Sequence, residues 1–178
     1  KVMTYNIKFG AGRIDFFFDY WGDRVQMSRV EVEQNLAGVE RLIDEIDPDL
    51  LLAQEVEVGS KRSAYVDMVQ HILERCRFRY AAYFQQWNSR YVAEEGFGRV
   101  DMGLAIFSRC PVKRAERFSH VDWTDQDFLT RTFYLHHVIG RAVLDLGSRE
   151  VAAYVVHPEA YDKDGTKQRQ IREILDRV

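Results

Sequence analysis

The first half of the chain combines a strand-like and a helix-like pattern of apolar positions. A short buried strand is predicted over Val2–Ile7. A second strand is predicted over Leu50–Gln54, a continuous apolar run as expected for a strand covered on both faces. Two amphipathic helices are predicted: the first runs to about Ile46, and the second follows Ser63. Their apolar stripes are Leu36, Val39, Leu42, Ile43 and Ile46, and then Val66, Val69, Ile72 and Leu73. Strand, helix, strand and helix in this order predict an α/β layer structure.

The second half is dominated by short strand patterns. They are Tyr80–Gln85, Leu104–Ser108, Val112–Arg117, Arg131–Val138, Arg141–Leu146 and Val151–His157. Gly147-Ser148 separates the last two and predicts a hairpin. A helix is expected over Thr166–Val178, with Ile171, Ile174 and Leu175 as its apolar stripe. We therefore expect one α/β domain over residues 1–178, with sheets that are largely antiparallel in the second half.

Composition narrows the class of protein. The 178 residues are 46% hydrophobic and 30% charged, which is typical of a folded globular domain and not of a disordered chain. No apolar run approaches the roughly 18 residues of a membrane span, so no integral membrane segment is predicted. A net charge of −3 and a pI near 6.0 argue against a broad basic face for nucleic acid. Cys76 and Cys110 are interpreted as two buried thiols rather than a disulfide, and the compartment stays open.

Two strand ends carry the strongest chemical signal. Asn6 closes the first apolar strand, and Glu55 follows Leu50–Gln54 at the end of the second. A carboxylate there would be costly to bury without a cation partner. Mg²⁺ or Mn²⁺ would suit this position, because hard cations take oxygen ligands. Each residue also has an ordinary interpretation, since Asn often caps a turn and a glutamate at a strand end often forms a salt bridge.

Two further residues point to phosphate chemistry. His157 closes the apolar strand Val151–Val156, where it could donate a hydrogen bond to a phosphoryl oxygen or transfer a proton. Arg109 follows the strand Leu104–Ser108 and precedes Pro111, and arginine binds phosphate through its planar fork. The alternatives are a buried core histidine and a surface arginine at a turn.

Together these residues resemble the endonuclease/exonuclease/phosphatase superfamily, the DNase I-like metal-dependent phosphoesterases. The resemblance lies in a strand with Asn6, a strand ending in Gln54-Glu55, the Gly-x-Ala-Ile-x-Ser-Arg-x-Pro segment 103–111, and His157 followed by Glu-Ala-x-Asp. It covers essentially the whole chain and implies a four-layer α/β/β/α sandwich. It also implies that Glu55 holds the metal, that Asn6 helps to position the site, that His157 contacts the scissile phosphate and that Arg109 lies near it.

The chain departs from the family pattern in two ways. Val155-Val156-His157 stands where the family often has Asn-Thr-His, and Pro158 removes a backbone donor directly after the histidine. The later Gly-Asp-x-Asn and Ser-Asp-His segments are also absent from the sequence. We interpret the chain as the N-terminal portion of a longer catalytic domain, apparently truncated at the C-terminus, and expect it to be inactive alone.

The resemblance predicts a divalent-metal-dependent phosphoesterase that hydrolyses phosphodiester bonds, or alternatively phosphomonoesters, by metal-assisted attack of water. A catalytically silent relative that binds a phosphorylated ligand or protein is the alternative. Nucleic acid, a phospholipid head group and a small nucleotide all remain open as substrates, and the acidic balance slightly favours small or lipid-like ones. No protein partner is implied. The aromatic residues of segment 16–21, with Tyr83, Trp87 and Tyr91, form either ordinary packing, which we favour, or a substrate platform or lipid-facing rim.

Overall fold

The first sheet places the ends of its two parallel strands at the same edge. A computed structural model describes residues 1–19, 21–92, 96–120, 136–158 and 165–177. Strand β1 (Val2–Asn6) pairs in parallel with β2 (Leu50–Glu57), and Asn6 lies opposite Gln54. β2 also pairs with β4 (Gly98–Ser108), and β4 with β3 (Tyr80–Val92), both antiparallel. The strand order is β1-β2-β4-β3.

Two helices cover one face of this sheet. Helix α1 (Arg29–Ile46) begins at a capping box, in which Ser28 and Glu31 satisfy each other's backbone N–H groups. It ends where Asp47 adopts a left-handed conformation before Pro48. Helix α2 (Met68–Arg75) is capped by the side chain of Asp67. Their buried residues, among them Leu36, Ile43 and Ile72, pack with Leu51 and Phe107 of the sheet into one core.

The opposite face packs on a second, fully antiparallel sheet. This sheet contains β5 (Val112–Ser119), β6 (Val138–Asp145) and β7 (Glu150–Val156), in that order. Residues of both sheets form a shared core, namely Ala82, Phe84, Leu104, Ile106, Val138, Ala142, Leu144, Ala153 and Val155. The expected hairpin at Gly147-Ser148 is confirmed by the pairing of β6 with β7.

Helix α3 (Thr166–Leu175) forms the fourth layer. Its Glu173 lies 2.8 Å from Nδ1 of His120, and the guanidinium of Arg177 lies 4.7 Å from the ring of Phe118 on β5. Tyr154 of β7 donates a 2.7 Å hydrogen bond to the carbonyl of Arg177. The α/β/β/α sandwich expected from the sequence is thereby confirmed.

Several details differ from the sequence-based expectations. The stripe predicted for α3 was wrong, because Ile171 and Leu175 are 43% and 70% exposed while Thr166 and Gln170 are buried. β3 and β4 are longer than expected, since their pairing continues to Val92 and Gly98. The predicted strand Arg131–Val138 falls mostly on residues 121–135, which lie outside the described residues.

Cys76 and Cys110 are free, partly buried thiols, as favoured from the sequence. Burial, with smaller contributions from Glu40 and Asp44, raises the pKa of the Cys76 thiol to about 11. Over the described residues, none of the helices is both long and apolar enough to cross a bilayer.

Candidate active site

Glu55 sits on a bulge at the end of β2. Ala53 pairs with Ala105 and Val56 pairs with Gly103, so Gln54 and Glu55 together oppose the single residue Leu104. Glu55 has φ of 54°, a left-handed conformation that is uncommon for a residue with a side chain. Bulges interrupt the alternation of a strand and redirect side chains, often beside active sites. Here the bulge leaves Glu55 lining two neighbouring cavities.

Asn6 holds the Glu55 carboxylate from the neighbouring strand. Its Nδ2 donates a 2.7 Å hydrogen bond to Oε1 of Glu55. Its Oδ1 accepts a 2.8 Å hydrogen bond from the backbone N–H of Lys8, which fixes the orientation of the amide. Lys8 and Phe9 have φ of 45° and 41°, so the chain turns sharply directly after β1. Asn6 is thus held at both ends of its amide group.

His157 reaches the same carboxylate from the second sheet. Its Nε2 lies 3.5 Å from Oε1 of Glu55, and both side chains are partly exposed. The carbonyl of His157 accepts a 2.8 Å hydrogen bond from Nδ1 of His137. Because a carbonyl can only accept, Nδ1 of His137 carries the proton. This bond fixes the backbone directly after β7 and supports His157 from its own sheet.

The structure brings Asn6, Glu55 and His157 together but places Arg109 elsewhere. The Arg109 side chain forms an ion pair with Asp47 and, at 3.4 Å, a second one with Asp49. Its backbone N–H donates a hydrogen bond to the carbonyl of Asp49. Asp49 precedes β2, whereas Glu55 lies six residues further along, about 20 Å at the rise of an extended strand. The Arg109 guanidinium lowers the pKa of the Asp47 carboxyl. The geometry gives no support to Arg109 as a phosphate ligand.

Two cavities meet at Glu55. The first has a volume of about 580 Å³ and is lined by polar groups that include Asn6, Lys8 and Asp19. Nζ of Lys8 lies 3.0 Å from Oδ2 of Asp19, in a partly buried ion pair. The second has a volume of about 330 Å³, and His157 and Glu55 line it together with aromatic residues. Both volumes fall near or within the range of small-molecule sites.

A buried ion pair supports the second cavity, and sequence reasoning missed it. Nε of Arg62 donates a 2.6 Å hydrogen bond to Oε1 of Glu57, and both side chains are almost completely buried. The Arg62 guanidinium lies 3.9 Å from the centre of the Phe9 ring. Burial raises the pKa of Glu57, and the charge of Arg62 opposes that shift. Only the polarity of Glu57 within an apolar strand could have drawn attention to it.

The donor set at Glu55 fits a hard divalent cation that retains most of its water. Mg²⁺ is usually held by one or two carboxylates, with water and substrate phosphate completing its octahedron. Glu55 offers a partly exposed carboxylate, and the hydrogen bond from Nδ2 of Asn6 holds that carboxylate in one orientation. Among the described residues, no three His, Cys, Asp or Glu side chains are grouped closely enough to hold a metal ion on their own. A single carboxylate of this kind fits Mg²⁺ or Mn²⁺, which keep several water ligands in such sites.

The fold and the cluster define a class of protein: an α/β sandwich with a carboxylate, an amide and a histidine at the edge shared by its two sheets. The model of the endonuclease/exonuclease/phosphatase family matches residues 3–177. The chain therefore belongs to that family, as expected from the sequence. A search of curated proteins gave no significant match.

Solved structures confirm the DNase I-like fold. An endonuclease/exonuclease/phosphatase from Beutenbergia cavernae superimposes with a TM-score of 0.67 at 16% identity, over 99% of this chain and 43% of that one. A mannosyl-6-phosphatase from Bacteroides thetaiotaomicron gives 0.56 at 13% identity, over 99% and 58%. Sphingomyelinase C from Streptomyces griseocarneus gives 0.52 at 19% identity, over 99% and 58%. The chain thus spans about half the length of these similar structures.

Proposed function

We propose that the Glu55 corner hydrolyses phosphate esters, with phosphodiesters as the preferred substrates and Mg²⁺ or Mn²⁺ as cofactor. One observation carries the proposal: the Glu55 carboxylate stands on a left-handed bulge, with Nδ2 of Asn6 and Nε2 of His157 both directed at its Oε1. Strained backbone at a cavity is typical of functional sites. Family membership and similar folds named as a phosphatase and a sphingomyelinase support hydrolysis as the reaction.

Each residue of the corner has a separate task in this proposal. Glu55 would hold the cation, and Asn6 keeps its carboxylate in one orientation through the 2.7 Å hydrogen bond. A cation bound there supplies neutralisation of the phosphoryl oxygens and activation of water. His157 donates a hydrogen bond through Nε2–H to a phosphoryl oxygen, which stabilises the charge that develops there. Water attacks phosphorus and loses a proton to solvent, while the leaving oxygen takes the electron pair of its broken bond to phosphorus and a proton from solvent.

Glu55 also fits the chemistry of a cation ligand better than that of a structural ion pair. Its hydrogen-bond partner is a neutral amide, whereas the carboxylate of Glu57, two residues further along, is paired with Arg62. A carboxylate that accepts from a neutral amide can still serve as an oxygen ligand to a hard cation. The nearby Lys8 pairs instead with Asp19 at 3.0 Å.

The test is hydrolysis of bis-p-nitrophenyl phosphate by the full-length protein, with Mg²⁺ and with EDTA. We expect activity that requires the metal and that falls by about 100-fold or more in Glu55→Gln and His157→Gln. Glu45→Gln is the matched control, because Glu45 is an exposed glutamate near the end of α1 and far from the corner. Each variant is first checked for a cooperative thermal transition.

Two results would count against the proposal. Activity that survives EDTA and both corner variants would place the chemistry elsewhere. A folded protein that binds phosphate esters at Glu55 without hydrolysing any of them would instead indicate a silent binding relative. Calorimetric titration of Mg²⁺ alone separates these cases further, because Glu55→Gln should abolish metal binding whether or not turnover follows.

A further inference from the structure

His157 lies directly beyond the last pair of its ladder. β6 and β7 are paired up to Ile139 and Val156, and His157 is the next residue along the chain. Pro158 follows it and has no backbone N–H. Backbone that has left a ladder keeps one conformation only where other groups bond it. The position of Nε2, 3.5 Å from Oε1 of Glu55, therefore depends on contacts outside the ladder.

The imidazole of His137 provides such a contact. Its Nδ1 lies 2.8 Å from the carbonyl oxygen of His157, and the residue is only 8% exposed. The side chains that precede His157 in its own strand are Val155 and Val156, which carry no hydrogen-bonding group. The side-chain hydrogen bond thus comes from the residue before β6, and a buried bond of this kind is stronger than one in water.

His137 lies in a segment that backbone hydrogen bonds tie to both sheets. Its carbonyl accepts a 2.9 Å hydrogen bond from the N–H of His120, which directly follows β5 in the second sheet. The N–H of His136 donates a 3.0 Å hydrogen bond to the carbonyl of Gln86 on β3 in the first sheet. A side chain whose backbone is held from two sides is a rigid support for its neighbour.

We propose that His137 is a positioning residue for hydrolysis: its Nδ1–H, through the carbonyl of His157, keeps Nε2 of His157 in place beside Glu55. His137 is not among the described residues that line either cavity at Glu55, so it acts through His157 and not on the substrate. The inference rests on the proposed function and adds one residue to it. Nδ1 donates in the neutral tautomer with a proton on that nitrogen and also in the imidazolium, so both forms of His137 can hold the carbonyl.

The first test measures hydrolysis of bis-p-nitrophenyl phosphate by the full-length protein with Mg²⁺. His137→Leu keeps an apolar side chain but removes the donor. We expect kcat to fall about 10–100-fold, because a small displacement of a catalytic group is costly. KM should change little, since His157 acts mainly on charge that develops in the transition state.

His137→Asn is the conservative variant. The side-chain nitrogen of asparagine is attached to Cγ, as Nδ1 of histidine is, so it can donate to the same carbonyl. This variant should restore most of the kcat that His137→Leu loses. His71→Leu is the matched control, because His71 is a similarly buried histidine that contacts Glu40 and is not among the described residues lining either cavity. Its kcat and KM should equal those of the wild type.

A double-mutant cycle separates positioning of His157 from a general loss of structure. In a His157→Gln background, His137→Leu should lower kcat no further, since His137 acts only through His157. Each variant is first checked for a cooperative thermal transition. A merely structural role would lower the activity of both backgrounds alike.

A second readout does not depend on turnover. Spectra that correlate ¹H and ¹⁵N in histidine side chains show which ring nitrogen carries the proton. In the wild type we expect Nδ1 of His137 to be protonated. The ring signals of His157 should shift in His137→Leu and stay at their wild-type positions in His137→Asn.

Four results would overturn the inference and leave the proposed function standing, provided that the wild type hydrolyses the substrate. Wild-type kcat in a folded His137→Leu, or losses that multiply in the cycle, would show that His137 does not act through His157. An unprotonated Nδ1 of His137, or unshifted His157 signals in His137→Leu, would remove the contact itself. A wild type that hydrolyses no phosphate ester would remove the proposed function and the catalytic role of His137 together.

Discussion

Asn6 and Glu55 are joined by a 2.7 Å hydrogen bond from Nδ2 to Oε1, across the only parallel strand pair among the described residues. Asn6 lies opposite Gln54 in the ladder, so a regular strand would place Glu55 one residue beyond it. The bulge at Gln54-Glu55 changes the course of β2 at that point and brings the carboxylate to the amide. The site thus depends on an irregularity in a strand that is otherwise regular.

Gly103 pairs with Val56 directly after the bulge and lets β3 approach β4 closely, and we predict that Gly103→Ala disturbs the strands on both sides. An added Cβ would lie 2.3 Å from the carbonyl oxygen of Phe84 and 2.9 Å from Cα of Gln85, so β3 and β4 would have to separate. We expect a loss of about 1–3 kcal/mol in the free energy of unfolding. Phosphodiesterase activity should fall up to about 100-fold, because small displacements of a catalytic group are costly.

Urea denaturation and the hydrolysis assay together check this prediction. Gly38→Ala is the control for stability, since the nearest atom to its added Cβ is Nη2 of Arg41 at 3.7 Å on an open part of α1. It should raise stability slightly, as glycine is unfavourable within a helix. Wild-type stability and activity in Gly103→Ala would show that the strands adjust freely and that the bulge is not held by this contact.

The buried pair of Arg62 and Glu57 yields a prediction on stability. Arg62→Met should cost about 3–5 kcal/mol in the free energy of unfolding, because it leaves the Glu57 carboxylate buried without its partner. The double variant Arg62→Met with Glu57→Gln should lose clearly less free energy of unfolding than Arg62→Met alone, since no charge then remains to be buried. Urea denaturation of the wild type, of Arg62→Met, of Glu57→Gln and of the double variant measures the difference. A double variant that loses the full sum of the two single changes would show that the residues act independently.

The ends of the strands could be predicted from the sequence because they depend on local patterns. Asn6, Glu55 and His157 each close a short apolar run, and strand ends in a two-sheet sandwich meet at one edge. The structure brings these three side chains together, while their roles stay a proposal. The two layers of sheet and the hairpin at Gly147-Ser148 followed from the same patterns.

Features that depend on strand direction or on distant contacts could not be predicted in this way. Arg109 follows β4, and β4 runs antiparallel to β2, so its end lies at Leu50 rather than at Glu55. The sequence of a single strand does not indicate whether it runs parallel or antiparallel to its neighbour. The Arg62–Glu57 pair joins a short 3₁₀ helix, Lys61–Ser63, to the end of β2, and no periodic pattern in the sequence indicates it. The apolar residues of α3 resembled a core stripe, yet polar contacts such as that of Glu173 with His120 set the buried face of the helix.

Glu31 provides a prediction for acid stability. Its hydrogen bonds with Ser28, together with the pairing with Arg24, lower its pKa from 4.5 to about 2. A carboxyl whose pKa is lower in the folded state stabilises the fold above its unfolded pKa and loses that contribution as pH falls. The stability difference between wild type and Glu31→Gln should therefore be constant above about pH 5 and shrink between about pH 4.5 and pH 2.

Urea midpoints measured across that pH range check the Glu31 prediction. Glu33→Gln is the matched control, since Glu33 is an exposed residue of the same helix whose contact with Arg29 is 3.4 Å. The control should have only a small effect at any pH. A difference between wild type and Glu31→Gln that does not change with pH would rule out ionised Glu31 as the stabilising group.

A double-mutant cycle on Asn6 and Glu55 tests the central claim most directly, with kcat/KM for bis-p-nitrophenyl phosphate measured in Mg²⁺. Asn6→Ala should lower kcat/KM about 10–100-fold, because it releases the carboxylate it positions. Glu55→Gln should lower it more, and the double variant should be no worse than Glu55→Gln, since Asn6 acts through Glu55. Two losses that multiply, or kcat/KM close to that of the wild type in all three variants, would contradict a phosphoesterase site built on this pair.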